Sequence, residues 1–390
     1  MPWQEVSKMD ARREFVRLAG LEGANRRELC RRFGIHPDTG YKWLRRWRGD
    51  APDLADRSRR PHSSPARTAE AIEAAVVAIR DAHPAWGARK IAHCLKRDGK
   101  KPPAVSTVHA VLRRHGRILP PHGAGAADQR FEKEAANLLW QMDFKGWIRL
   151  ANGERCHPLT IIDDHSRFAP CLKACANQQG GTVQGHLQTT FERYGLPEAM
   201  FVDNGSPWGD ASGRHWTRLR VWLLKLGVAL IYSTPHHPQS RGKNERFHRT
   251  LSDELFALRA FNSLEKAQHA LDAWREIYNF ERPHEAIGLA VPADRYRPSP
   301  RPFPVSLAEV DYGEHEIVRT VPSSKDYIRF KGRLWKVPEA FRGERVAIRP
   351  MSRDGCYGVY FASHQIAAID LTQPKSVGHV PEQVSAFSPE

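Results

Sequence analysis

The sequence predicts a multidomain protein: two basic, all-α helix-turn-helix units, a central α/β domain with a mixed sheet, and a small C-terminal β-barrel. Three observations carry that prediction. Apolar residues recur at helical spacing through most of residues 9–115, as on the buried face of packed helices. From residue 138 three strand-like runs precede alternating helical and strand-like segments, the order that builds a mixed sheet. Beyond residue 317 only short, evenly spaced strand patterns follow, as in a small barrel. The expected domains are residues 1–50, 66–118, 135–290 and 305–372.

In the first unit Phe15, Val16 and Leu18 support a helix over residues 9–19, and Leu29, Cys30 and Phe33 one over residues 25–33. Gly34 breaks the pattern, and Pro37 with Asp38 opens a third helix carrying Tyr41, Leu44 and Trp47. Helix, short turn and basic helix is the arrangement that lays its last helix in the major groove. Lys42, Arg45, Arg46 and Arg48 of that helix are its candidate DNA contacts. Residues 49–66 have the Pro, Ser and charged composition of a linker.

The second unit repeats the plan. Thr68 is expected to cap a helix running to residue 79, and residues 87–96 form the next, with Ile91 and Leu95 inward. Ser106 is expected to cap a helix over residues 107–115, with Val108, Val111 and Leu112 on one face. Arg89, Lys90, Arg113 and Arg114 lie on the other side as candidate DNA contacts. Two linked modules grip an extended duplex better than one. Residues 119–130, rich in Pro, Gly and Ala, mark a boundary.

In the central domain strands are expected over residues 138–148, 157–163 and 168–174, with Asn152-Gly153 as a hairpin turn. A helix (181–194), a short buried strand (199–202), a helix (215–226) and a strand (228–232) follow, then helices over 244–258 and 263–278. Residues 292–304 read as a second linker. Six barrel strands are expected over 317–321, 327–330, 334–337, 345–348, 357–361 and 366–371, with a disordered tail after residue 372.

A formal charge of +16 on 390 residues favours an acidic partner, most simply nucleic acid. Six cysteines without a CxxC pair indicate neither a disulfide framework nor a structural zinc site. No signal peptide and no apolar run of membrane-spanning length occurs, so a cytoplasmic, nucleoid-associated protein with no membrane partner is expected.

The residues that point to chemistry are acids. Asp143 sits inside a run of Leu, Trp, Met and Phe, where a carboxylate is costly unless a cation compensates it. Asp203 ends the short buried strand at an Asn-Gly turn, and Glu245 opens a helix after a Pro- and Gly-containing loop. Three such carboxylates suffice to hold Mg²⁺, or Mn²⁺ in its place, for in-line phosphoryl displacement. Lys243, Arg246, His248 and Arg249 surround Glu245 and are candidates to hold the phosphates of the strand to be cut. Asp163 and Asp164 are second choices, because Asp164-His165-Ser166-Arg167 also reads as turn chemistry.

Several motifs then match one family in its order: Trp140-Gln141-Met142-Asp143, Ile162-Asp163-Asp164-His165-Ser166-Arg167, Asp203-Asn204-Gly205-Ser206, Pro238-Gln239-Ser240-Arg241-Gly242-Lys243-Asn244-Glu245-Arg246-Phe247, and Tyr278-Asn279-Phe280-Glu281-Arg282-Pro283-His284. The sequence resembles the DDE transposases of bacterial insertion sequences, whose catalytic core is similar to retroviral integrase. That resemblance implies an RNase H-like core and a Mg²⁺-dependent triad of Asp143, Asp203 and Glu245. It also implies double-stranded DNA, both element end and target, as partner, with 3′-hydroxyl strand transfer by a homo-oligomer of at least two protomers. One departure is a longer interval between Asp203 and Glu245, its excess placed in the loop at residues 207–213, which a loop tolerates cheaply. The alternatives are a DNA-binding regulator with an inactive nuclease core and, after it, a structure-specific repair or junction nuclease.

Overall fold

The computed structural model describes residues 7–47, 54–56, 67–118, 132–209, 216–233 and 242–372. The chain divides into two compact units, Met1–Arg67 and Thr68–Glu390.

The first unit is a three-helix bundle of α1 (Lys8–Ala19), α2 (Arg26–Arg32) and α3 (Pro37–Trp47). Ser7 caps α1 by accepting from the Asp10 amide at 3.1 Å, and Asn25 caps α2 through the Glu28 amide, also at 3.1 Å. Phe15, Val16, Cys30, Trp43 and Leu44 form its core. The crossing is tight at Gly40, where a Cβ would lie 2.5 Å from Cys30 Sγ and 2.7 Å from the Phe15 ring.

The second unit opens with α4 (Glu70–Ala82), α5 (Ala88–Arg97) and α6 (Val105–Arg114). The expected caps are not used: α4 starts after Ala69 and α6 after Ala104, with no side-chain cap on either. Packing of Val76, Ile91, Leu95, Val108 and Val111 sets these boundaries.

The central sheet comprises β1 (Trp140–Phe144), β2 (Ile148–Arg149), β3 (Arg155–Asp163), β4 (Cys171–Cys175), β5 (Ala199–Val202) and β6 (Ala229–Tyr232). Its order is β4-β3-β1-β5-β6, with β2 paired to the first residues of β3. The β1–β3 and β3–β4 pairs are antiparallel; β1–β5 and β5–β6 are parallel. The single strand expected over residues 138–148 is split in two, because Gly146 turns the chain with φ +95°.

Alternation along the strands makes the sheet apolar on both faces. Trp140, Met142, Leu159 and Ile161 pack with α7 (Gly180–Tyr194) and α8 (Arg218–Lys225) on one face. Cys156, Ile162 and Leu172 pack with α9 (Gly242–Leu251) and α10 (Leu264–Glu276) on the other. Each of these last two helices ends in a π-turn, Ser252–Phe256 and Ile277–Glu281, where the sequence predicts continuous helix. The turns bring Glu254 and Arg282 into a buried ion pair at 2.8 Å.

The second linker is not loose. It begins with one helical turn, Pro292–Arg295, and then lies on the core. Tyr296 stacks on Phe168 with ring centroids 4.1 Å apart, and the Arg301 guanidinium donates to the carbonyls of Pro197, Leu226 and Gly227.

The C-terminal part contains β7 (Ile317–Thr320), β8 (Tyr327–Phe330), β9 (Arg333–Lys336), β10 (Arg345–Pro350), β11 (Cys356–Phe361) and β12 (His364–Asp370). Among the described residues these strands form no closed barrel. They make an antiparallel sheet of order β12-β11-β10-β7 and a separate β8–β9 hairpin over one shared core. Helix α8 belongs to both cores. Leu219, Trp222 and Leu223 face the central sheet, while Val221 packs with Val321, Phe341 and Val346. Lys225 completes the junction with an ion pair to Glu344 at 3.0 Å. The tail expected after residue 372 lies outside the described residues.

Candidate active site

The parallel pairing of β1 with β5 places Trp140 opposite Met200 and Gln141 opposite Phe201. Asp143 lies two residues beyond the last paired step on β1, and Asp203 follows the end of β5, two residues beyond the same step. Alternation turns residues of this parity away from the Trp140 and Met142 side, toward the face covered by α9 and α10. Both acids are half-buried. The Gly205 amide donates to Asp203 Oδ1 at 3.0 Å, and Asn204 Nδ2 ties the same turn to the Ser233 carbonyl at 3.0 Å.

Glu245 is exposed in the first turn of α9, a helix that packs against β1. Residues 234–241, which lead into it, lie outside the described residues. Among the described residues no group of three His, Cys, Asp or Glu side chains is assembled to hold a metal ion. The donor set is nevertheless of the right kind: hard carboxylate oxygens, one from β1, one from just past β5 and one from a helix on the same face of the sheet.

Trp208, which follows this turn, is core. It is buried, stacks on Phe144 at 5.7 Å, and its carbonyl accepts from the Tyr232 hydroxyl at 2.8 Å. The tip of that loop, from residue 210, lies outside the described residues.

Several basic residues expected to meet DNA have partners within the protein. Lys243 is paired with Asp164, which is fully buried and also accepts from Gln141 Nε2 at 2.8 Å and the Lys133 amide at 2.7 Å. His248 lies 2.8 Å from Thr160 Oγ1, and burial pushes its imidazole down to about 4. Arg114 pairs with buried Glu73. Lys90 is half-buried facing Arg282, Glu254 and Glu285, and burial lowers its ammonium to about 8. Arg46 donates to the Ala55 carbonyl at 3.1 Å and sits over the Trp43 ring. The exposed set is Lys42, Arg45, Arg89, Arg113, Arg114, Arg246 and Arg249, with Arg114 paired to Glu73 and Arg89 lying 3.8 Å from Glu285. Arg48 lies outside the described residues.

The acids held as second choices are enclosed and hydrogen-bonded within the fold. Asp163 and Asp164 are both fully buried, and Asp163 accepts from the Ser166 amide, the Ser166 hydroxyl and the Asn137 amide. Asn279 of the last matching motif is structural too. Its side-chain amide exchanges two hydrogen bonds with the Ala169 backbone, at 2.8 and 3.1 Å, locking π-turn to sheet.

Family models match in five places. Two described as integrase core domain cover residues 133–238 and 226–292, and an IS481 family transposase C-terminal domain covers residues 316–376. A helix-turn-helix domain covers residues 11–62 and a homeodomain-like domain residues 39–112. The chain carries an integrase core of the insertion-sequence transposase kind.

Relatives of this transposase core include an uncharacterized protein of insertion element IS476 from Xanthomonas euvesicatoria, 26% identical over 72% of this chain and 79% of the relative. Another, from IS407 of Burkholderia multivorans, is 25% identical over 58% of this chain and 80% of the relative. The transposase of Tn552 from Staphylococcus aureus is 28% identical over 56% of this chain and 50% of its own length. Among solved structures the catalytic core domain of BIV integrase aligns with 40% of this chain and 92% of its own, at 23% identity and a TM-score of 0.32.

Proposed function

We propose that this transposase binds the ends of its element as duplex DNA, hydrolyses a phosphodiester there and joins the 3′-hydroxyl to target DNA. What supports the chemistry is the parallel pairing of β1 with β5, which runs toward Asp143 on one and Asp203 just past the other, with Glu245 on the helix over the same face. Asp143, Asp203 and Glu245 are the residues that would hold Mg²⁺, or Mn²⁺ as a substitute. Bound there, the metal would activate a water or hydroxyl and stabilise the leaving oxygen. Mg²⁺ is commonly held by one or two carboxylates together with substrate phosphates, so the pair on β1 and just past β5 is an adequate share for the protein.

The chain's own residues do the positioning. The Gly205 amide fixes the Asp203 carboxylate. Arg249, one helical turn beyond Glu245, and exposed Arg246 are placed to hold phosphates of the scissile strand. Lys42, Arg45 and Arg113 are exposed cations of the two third helices with no buried carboxylate partner among the described residues, and are the proposed contacts to element ends. The proposed functional segments are residues 1–50, 66–118, 135–290 and 305–372, the last a small barrel-like module. The working complex contains at least two protomers, since two ends are processed together.

The test is cleavage of labelled duplexes carrying the terminal repeats that flank the coding sequence, with Mg²⁺ or EDTA. Nicking that needs Mg²⁺ and disappears in Glu245→Gln supports the reading. Tight end binding with no nicking under any metal would replace it with a regulatory role.

A further inference from the structure

Two contacts pin α9 to β3 and the residue that follows it, beside the strand that carries Asp143, one on each side of Glu245 in sequence. Two residues before Glu245, Lys243 pairs with buried Asp164, and Asp164 also accepts from Gln141 on β1, two residues before Asp143. Three residues after Glu245, His248 Nε2 meets Thr160 Oγ1 at 2.8 Å, and the same hydroxyl donates to the Asp143 carbonyl at 2.9 Å. Thr160 is the direct cross-strand partner of Asp143 in the β1–β3 ladder. At 3.6 residues per turn Glu245 lies roughly 60° round the helix from His248, on the rim of the buried face. Both ends of the first two turns of α9 are thus referred to the strand bearing the first acid, one through the Gln141 side chain and one through the Asp143 carbonyl.

We infer that Lys243 and His248 are positioning residues, a two-point clamp through Asp164 and Thr160 that fixes Glu245 relative to Asp143. This rests on the proposed roles of those two acids. It assigns to Lys243 and His248 a different task from holding phosphate. Their polar atoms are committed to a buried carboxylate and a buried hydroxyl, so DNA contact falls to their exposed neighbours Arg246 and Arg249. Displacing a reacting group by about 1 Å can lower a rate about a hundredfold, so the clamp acts on the chemical step.

The test uses the full chain with Lys243→Met, Thr160→Val, Thr160→Ser and Glu245→Gln. Three quantities are read: cleavage rate at saturating terminal-repeat duplex, end affinity against salt, and amide exchange of α9 in metal-free protein. Lys243→Met and Thr160→Val are expected to slow cleavage about a hundredfold and to speed exchange in α9. End affinity and its salt slope stay as in wild type, and Thr160→Ser, which keeps the hydroxyl, restores the rate. A Lys243→Met chain that cleaves normally at saturation but loses about one unit of salt slope would make Lys243 a phosphate contact and overturn the clamp. Should Lys243→Met fail to fold, the contrast between Thr160→Val and Thr160→Ser decides: equal rates overturn the clamp. Glu245→Gln separates the two levels. If it cleaves like wild type, the assignment of the acids fails; if it is inactive while Thr160→Val is fully active, only the clamp fails.

Discussion

Asp143 on β1 and Asp203, the residue that follows β5, each lie two residues beyond Gln141–Phe201, the last paired step of these parallel strands. Parallel strands run about 4.8 Å apart, so the pairing brings two carboxylates close together at the end of the sheet. Like charges held that close favour a shared cation, which is the physical basis for assigning them one role.

Asp203→Asn should separate chemistry from folding. The amide oxygen still accepts from Gly205, as Oδ1 does at 3.0 Å, so the turn survives. Cleavage is expected to fall by about 10²–10³-fold, the effect of removing one preorganised electrostatic group, with the melting temperature within a few degrees of wild type. Single-turnover cleavage beside a thermal melt checks both halves.

Acid should loosen the domain through His248. Burial, with Lys145 as a lesser cause, holds its imidazole at about 4, below the ordinary value of 6.5. The unfolded chain therefore takes up the proton first, and stability falls as pH drops from about 6.5 toward 4. It is fully present above that window. Urea midpoints at pH 7 and pH 4.5 should differ less in His248→Gln than in wild type.

Two adjacent arginines should behave oppositely. Arg114 pairs with Glu73, which is 4% exposed and also lies 3.1 Å from His115 Nε2, so Arg114→Ala is expected to destabilise the domain by about 1–2 kcal/mol, because His115 remains beside the carboxylate and Arg114 itself is partly exposed. Arg113 is exposed, and Arg113→Ala should leave the melt unchanged while lowering the salt slope of end binding by about one. Melts and salt titrations of both variants give the comparison.

Tyr296 anchors the segment after the helical turn at Pro292–Arg295. Its ring lies 4.1 Å from that of Phe168, and its buried hydroxyl has no hydrogen-bond partner among the described residues. Tyr296→Phe should therefore cost nothing, whereas Tyr296→Ala should cost about 3–5 kcal/mol. Chemical denaturation of the two variants tests the difference.

What the sequence discloses is what local spacing carries. Leu29, Cys30 and Phe33 mark their helix, and the short strand ending at Val202 is found where its apolar run predicts. The place of Asp143 and Asp203 beyond one paired step follows once β1 and β5 are known to be neighbours. Hidden are the partners of buried charge. Glu73 lies 41 residues from Arg114, Asp164 lies 79 from Lys243, and Thr160 lies 88 from His248. No local pattern distinguishes such a cation from one facing DNA. The expected caps Thr68 and Ser106 fail for a related reason: the apolar faces of α4 and α6 place those helix starts, and propensity yields to packing.

Helix α8 has a consequence for how this chain can be cut and recombined. Its residues serve two cores at once, so the seam between catalytic and C-terminal parts runs along a helix within the catalytic sequence. A chimaera joined at residue 305 would inherit one half of that seam from each parent. Val221 and Lys225 would face a foreign sheet lacking their complements, Phe341 and Glu344. A graft of a relative's C-terminal module should be compatible only when the outward face of α8 travels with it.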